Sequence, residues 1–155
     1  DLINVFCQTY TKNDNVRLIL KVHYKDYSLI NKKKCKEIIN NILSKYNNLP
    51  EVICILDNVT TKDILALHSI GDCYVSLTKS EGFGLTIFDA YNYKKRIIAT
   101  GYGGHVDFLG KNYEGLVDYT LGPVKGMDSD IYNSDGNIWA YPDLEHVKEK
   151  MKIFR

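Results

Sequence analysis

Long apolar runs are missing from this sequence. No stretch approaches the ~18 residues of a membrane span, and no segment has the build of a secretory signal. A surplus of one charge is missing too. Twenty Lys and Arg against 19 Asp and Glu leave a formal net charge of +1, which argues against a strongly basic nucleic-acid binder. The 12 tyrosines are scattered and form no base-stacking stripe. None of the four cysteines, Cys7, Cys35, Cys54 and Cys73, belongs to a C-x-x-C pair. Each lies among apolar neighbours, so buried free thiols in a reducing compartment are expected, and with them a cytoplasmic protein. The glycosylation pattern Asn58-Val59-Thr60 carries no meaning there. His23, His68 and His146 share no spacing that would suit zinc. Repeats, low-complexity stretches, linkers and a Ser/His/Asp or Cys/His arrangement are all absent.

What is present is a chain of 155 residues, 45% apolar and 25% charged, which suits a single globular domain over 1–155. Short runs rich in aliphatic and β-branched residues recur at Arg17–Val22, Val52–Leu56, Cys73–Leu77, Arg96–Thr100 and Gly115–Tyr119. Their near-continuous apolar character predicts strands covered on both faces. Helical patterns lie between them. Cys35, Ile38, Ile39, Ile42, Leu43 and Tyr46 mark one face of a helix over 32–46, whose Lys32-Lys33-Lys34 run reads as a solvated start. Thr60 or Thr61 caps a helix that carries Ile64, Leu65 and Leu67 and stops near Gly71. A third helix begins near Gly84. A last one follows Pro142, with Asp143 as its cap and Leu144, Val147 and Met151 on one face. Strand-helix alternation predicts an α/β fold with a Rossmann-like parallel sheet and helices on both faces. Leu2, Val5 and Phe6 have helical spacing but follow no strand, so the first strand of the fold is expected upstream of Asp1.

In such sheets ligands bind beyond the carboxyl ends of the strands. The stretch S-E-G-F-G-L-T-I-F-D-A, residues 80–90, lies there, between the strand at 73–77 and the helix from about 84. Gly82 and Gly84 let the backbone approach a ligand. The free N–H groups and positive end of the following helix suit phosphate. Glu81 would repel phosphate, so it faces hydroxyls or a developing cation. Asp89 stands about five residues into the helix, roughly 7.5 Å along its axis, one turn beyond Leu85. A carboxylate there can accept bonds from a ribose diol. Hydroxyls, diphosphate and ribose outline a nucleotide-sugar. A strand-to-helix turn with glycines kept for packing is the competing reading of the same residues.

These residues resemble a known pattern. S-E-G-F-G-L-x-x-x-D-A resembles the E-x7-E signature of retaining glycosyltransferases of the GT-B fold, the group often called family 4. Asp89 replaces the second Glu and shortens its reach by one methylene. Asp72-Cys-Tyr-Val-Ser-Leu matches the strand leading in. Arg96-Ile-Ile-Ala-Thr-Gly matches the strand after the helix, with Arg96 where proline is usual. Gly103-Gly104-His105-Val106-Asp107-Phe108 resembles the next turn, and Asp118-Tyr119-Thr-Leu-Gly-Pro-Val and Trp139-Ala-Tyr-Pro-Asp-Leu-Glu-His resemble the family's ending.

The resemblance implies the C-terminal, donor-binding half of such an enzyme, with the N-terminal acceptor-binding half absent and the acceptor (sugar, lipid or protein) unread. It implies that Gly82, Phe83, Gly84 and Leu85 hold the donor diphosphate through backbone amides, that Glu81 serves catalysis by contacting the donor sugar, and that Asp89 binds ribose. The base would sit near Asp57, Asn58 and Val59. An Arg/Lys pair on the diphosphate aligns upstream of Asp1, so this piece alone should bind donor weakly and transfer nothing. No metal or other cofactor is implied. Lys21, at the end of the first strand, is a further phosphate candidate. Gly104 belongs to a tight turn above the donor sugar. His105 beside it either touches the donor or is a surface or loop-packing residue.

Other motifs read as plain structure. Asp128-Ser129-Asp130 spells D-x-D but follows no apolar strand and reads as a solvated turn. Gly101-Tyr102-Gly103-Gly104 stands after the fourth run, not the first, so nicotinamide binding is a distant third reading. Trp139 reads as a packing anchor for the last helix rather than a stacking platform. A non-catalytic nucleotide-binding or interaction module on the same fold is the alternative to an enzyme.

Overall fold

Two compact units make up the chain, Asp1–Leu65 with Arg155 and Ala66–Phe154. The structure is a computed structural model, and the residues described are 1–126 and 136–155. The Asp128/Asp130 turn therefore lies outside the described residues. The division falls within α3.

The first unit holds α1 (Leu2–Thr9), β1 (Arg17–Lys21), α2 (Leu29–Leu43) and β2 (Glu51–Ile55), and the chain then enters α3 (Thr61–Ile70). The two strands pair in parallel, from Arg17 against Glu51 to Lys21 against Ile55. Val5, Phe6, Cys7 and Tyr10 of the first helical segment are buried, as are Leu18, Leu20, Cys35 and Ile39. The helix expected over 32–46 starts earlier and stops at Leu43. Ser28 caps it by accepting from the Asn31 N–H, and Asp26 accepts from the Ser28 N–H at 2.8 Å. Leu29 and Ile30 in its first turn are 83% and 79% exposed, so no apolar stripe announces that turn. Tyr46 lies past the helix end and donates its hydroxyl to Asn4 Oδ1 at 3.0 Å. The lysine run is engaged rather than simply solvated: Lys32 bonds Asp57 and Lys34 lies over the Tyr24 ring. Thr60 and Asp63 close the start of α3 reciprocally, each side chain accepting the other's backbone N–H.

The second unit holds β3 (Cys73–Ser76), α4 (Leu85–Asn92), β4 (Arg96–Thr100), α5 (His105–Leu109), β5 (Leu116–Val117), β6 (Tyr119–Pro123), β7 (Ile138–Pro142) and α6 (Leu144–Ile153). The strands β3, β4 and β5 form a parallel sheet in that order, and β6 and β7 pair antiparallel. The α/β expectation with parallel strands holds. The core gathers Ile87 and Ala90 of α4 with Ile97 and Ala99 of β4, against Tyr74, Phe108, Leu109 and Tyr113. Complete burial of a side chain such as Ile87 contributes about 1.5–3 kcal/mol. In α6, Val147 and Met151 are buried as the pattern predicts, and Asp143 accepts from the Glu145 and His146 N–H groups.

The run expected over Gly115–Tyr119 is cut to two residues. The Asp118 N–H bonds His146 Nδ1, and its carbonyl accepts from the Asp143 N–H at 2.7 Å, so neither serves the ladder. All four cysteines are free, but only Cys7 and Cys35 are buried; Cys54 and Cys73 are half-buried. Burial nonetheless pushes the Cys73 thiol up to about 11. Among the described residues, no helix is long and apolar enough to cross a membrane.

Candidate functional site

The loop from Leu77 to Gly84 joins the carboxyl end of β3 to the amino end of α4. Gly84 caps the helix in the left-handed region, φ 83°, and no side chain caps it. A Cβ at Gly84 would stand 3.2 Å from both the His105 Cβ and the Ile87 Cδ1, so the site demands glycine twice over. Gly82 differs. A Cβ there would meet nothing within 4 Å. Its lack of a side chain has no packing reason among the described residues.

The loop is braced by the turn after β4. The Gly104 N–H donates to the Gly82 carbonyl at 2.8 Å. A Cβ at Gly104 would come to 2.1 Å from that carbonyl oxygen, and one at Gly103 to 2.6 Å from the Glu81 oxygen. Glycines 103 and 104 therefore exist so that two backbones can touch. His105 locks the turn from beneath. It is completely buried, and its Nε2 bonds the Thr100 carbonyl at 2.7 Å. A carbonyl only accepts, so Nε2 carries the proton. His105 Nδ1 is then a buried atom without a partner among the described residues, as are Thr100 Oγ1 and Thr78 Oγ1. Of the readings offered for His105, loop packing fits this burial and a surface residue does not.

Phe83 is half exposed yet its ring meets Phe88 at 5.3 Å and Phe108 at 5.4 Å between centroids. These aromatics hold the loop against α4 and α5. Leu85 beside them is 72% exposed.

Glu81 and Asp89 are both half-buried. Both charges reach the Tyr74 hydroxyl. Burial is the main cause that raises the Tyr74 pKa, and the two carboxylates add to it, while its bond to Thr86 opposes them. Tyr74 donates to Thr86 Oγ1 at 2.8 Å. The Asp89 charge also reaches His68, a buried ring 5.3 Å from the Tyr74 ring. Burial pushes the His68 pKa down and Asp89 partly restores it. The Glu81 and Asp89 charges thus both act on one phenol, whose hydroxyl bonds Thr86 in the first turn of α4. Tyr74 and Thr86 were not singled out in the sequence, and His68 was considered only as a zinc ligand and set aside. Thr86 precedes Asp89 by one helical turn, which was the available signal.

In the other unit, Lys21 donates from Nζ to the Tyr27 hydroxyl at 3.2 Å. Lys32 holds Asp57 below the usual carboxylate range, with a smaller contribution from Lys21. Asn58 is exposed and Val59 half-buried just after β2. Trp139 lies on β7, 6.2 Å from the Tyr141 ring.

A family model, glycosyl transferases group 1, matches residues 31–118. That span runs from the first turn of α2 through β5 and includes every residue from Glu81 to His105. No curated protein and no solved structure matches the chain.

Proposed function

The chain belongs to the glycosyl transferases group 1 family, and from that premise we propose that it is the donor-binding half of a retaining, family 4-like GT-B enzyme, using a nucleotide-diphospho-sugar without a metal. The open amino end of α4 carries the reading. Side chains cap the amino ends of α2 and α6, whereas α4 starts at Gly84 without a side-chain cap among the described residues. Uncapped N–H groups and the helix dipole favour an anion. Gly82, with open space around it, lets that anion come close.

In this reading the amides of Gly82, Phe83, Gly84 and Leu85 bind the diphosphate. As the bond from the anomeric carbon to the diphosphate oxygen breaks, negative charge grows on the leaving group, and the fixed N–H dipoles stabilise it without reorganising. Glu81 accepts bonds from sugar hydroxyls and sets the anomeric carbon toward the acceptor. Asp89 accepts from the ribose diol. Gly104 and His105 hold the loop in place from below. An acceptor-binding half completes the enzyme.

Calorimetric titration with UDP, GDP and ADP, with and without EDTA, tests the proposal. One nucleotide should bind equally in both conditions, and Glu81→Ala should spare nucleotide binding while Asp89→Ala costs about 1–3 kcal/mol. Failure of all three at millimolar concentration refutes it, and binding lost in EDTA refutes the metal-free mechanism.

A further inference from the structure

Six lysines and one acid, Asp26, occupy residues 21–36, whereas the rest of the chain holds 14 cationic against 18 acidic residues. The positive charge of a nearly neutral protein is thus gathered into one segment, the loop after β1 and the first two turns of α2. The same segment carries the two most exposed large apolar side chains among the described residues, Leu29 and Ile30. Local bonds hold them there. Ser28 caps the helix, and Asp26 accepts from the Ser28 N–H and from Asn31 Nδ2, each at 2.8 Å. The first turn is therefore fixed, with Leu29 and Ile30 turned away from the buried side of α2, which carries Cys35 and Ile39. Lys33 lies one turn beyond Leu29 and Lys36 one turn beyond Lys33, and both are exposed. Lys25 is exposed in the loop with a left-handed backbone, φ 57°, which glycine adopts more easily. Of the six lysines, Lys32 is paired with Asp57. An aliphatic pair thus shares one exposed helix face with ammonium groups, beside the half-buried Tyr24 and Tyr27.

We propose that this segment docks the chain on the surface of an anionic lipid bilayer. Leu29 and Ile30 enter the boundary between headgroups and acyl chains, and the ammonium groups of Lys25, Lys33 and Lys36 meet lipid phosphates and carboxylates. Tyrosines such as Tyr24 and Tyr27 suit the same depth, where a ring is apolar and its hydroxyl stays wet. Nucleic acid would use the lysines but has no place for two bare aliphatic side chains, and a neutral bilayer would use the aliphatic pair but not the charge. Two such side chains and a few lysines make the attachment reversible and salt-sensitive. Docking here goes beyond the donor site and stands or falls without it.

The chain is sedimented with vesicles of phosphatidylcholine alone or of phosphatidylcholine and phosphatidylserine, at low and at high salt. Binding to the mixed vesicles alone, weakened by salt, is expected. Leu29→Ser with Ile30→Ser, and Lys33→Glu with Lys36→Glu, should each weaken it about tenfold or more. Both double variants should unfold in urea as the unmodified chain does, because all four side chains are exposed. Failure to bind the mixed vesicles overturns the proposal, and so does binding that both double variants keep. Loss with the lysine pair but not with the aliphatic pair also overturns it, and gives the segment to a nucleic acid or an acidic protein. Self-association without lipid that Leu29→Ser with Ile30→Ser abolishes gives the aliphatic pair to a second copy of the chain and overturns it as well.

Discussion

Adding one methyl group at Gly82 separates a glycine kept for folding from a glycine kept for a ligand. The backbone at Gly82 is not in the left-handed region, and a Cβ there would meet nothing within 4 Å. Alanine therefore brings no clash and no backbone strain. It removes freedom from the unfolded chain, so Gly82→Ala should leave stability unchanged or raise it by about 0.4–1 kcal/mol. Gly104→Ala is the opposite case. Its Cβ would come to 2.1 Å from the Gly82 carbonyl oxygen, and the neighbour is backbone that cannot rotate away. The two loops must part, breaking the 2.8 Å Gly104–Gly82 bond, and a loss of about 1–3 kcal/mol follows. Nucleotide binding should rank differently. If the diphosphate rests on the Gly82 amide, the new methyl displaces it and removes a charge-assisted bond worth about 1.5–3 kcal/mol, roughly 10- to 150-fold in Kd. Urea unfolding gives the stabilities and calorimetry with the preferred nucleotide gives the affinities. Gly82→Ala binding as well as the unmodified chain would refute the reasoning, and so would a Gly82→Ala protein that unfolds as readily as Gly104→Ala.

Three further outcomes follow from the same structure. Asp89→Asn removes one of the charges that raise Tyr74, so the Tyr74 pKa should fall in an alkaline ultraviolet titration; an unchanged or higher value would contradict the shared site. His105→Ala empties a completely buried position and takes a donor from the Thr100 carbonyl, and should cost about 2–4 kcal/mol in urea unfolding. Asp26 is held at about 2, first by its bonds to the side chains of Ser28 and Asn31 and then by the Ser28 N–H. A lowered folded-state pKa means that its contribution is present above the unfolded value of 3.8 and is lost as pH falls through about 2. Asp26→Asn should flatten the pH dependence of stability across that window, and a profile identical to the unmodified chain would count against the Asp26 network.

The parallel strands were legible because each is a short, nearly unbroken apolar run followed by a helical pattern. Gly71 and Asp143 were legible as helix stops and starts because capping is local chemistry. What escaped depends on distant partners. The β6 strand has a mostly exposed burial pattern and carries Gly122 and Pro123, so its own residues look like a loop. It becomes a strand only through pairing with β7. The α5 helix is a five-residue segment placed by the Gly103-Gly104 contact with the neighbouring loop. The burial of His105 has the same origin. In the candidate site, the glycines and both acids could be read from spacing. The Tyr74–Thr86 pair could not, because it joins a strand residue to a helix residue 12 positions away.

The most direct test of the central claim is the amide spectrum of the ¹⁵N-labelled chain during addition of UDP, GDP or ADP. The account predicts that the largest shifts fall on the N–H groups of Gly82, Phe83, Gly84 and Leu85 at the open end of α4. Shifts confined to other residues, or none with any of the three nucleotides, would contradict it.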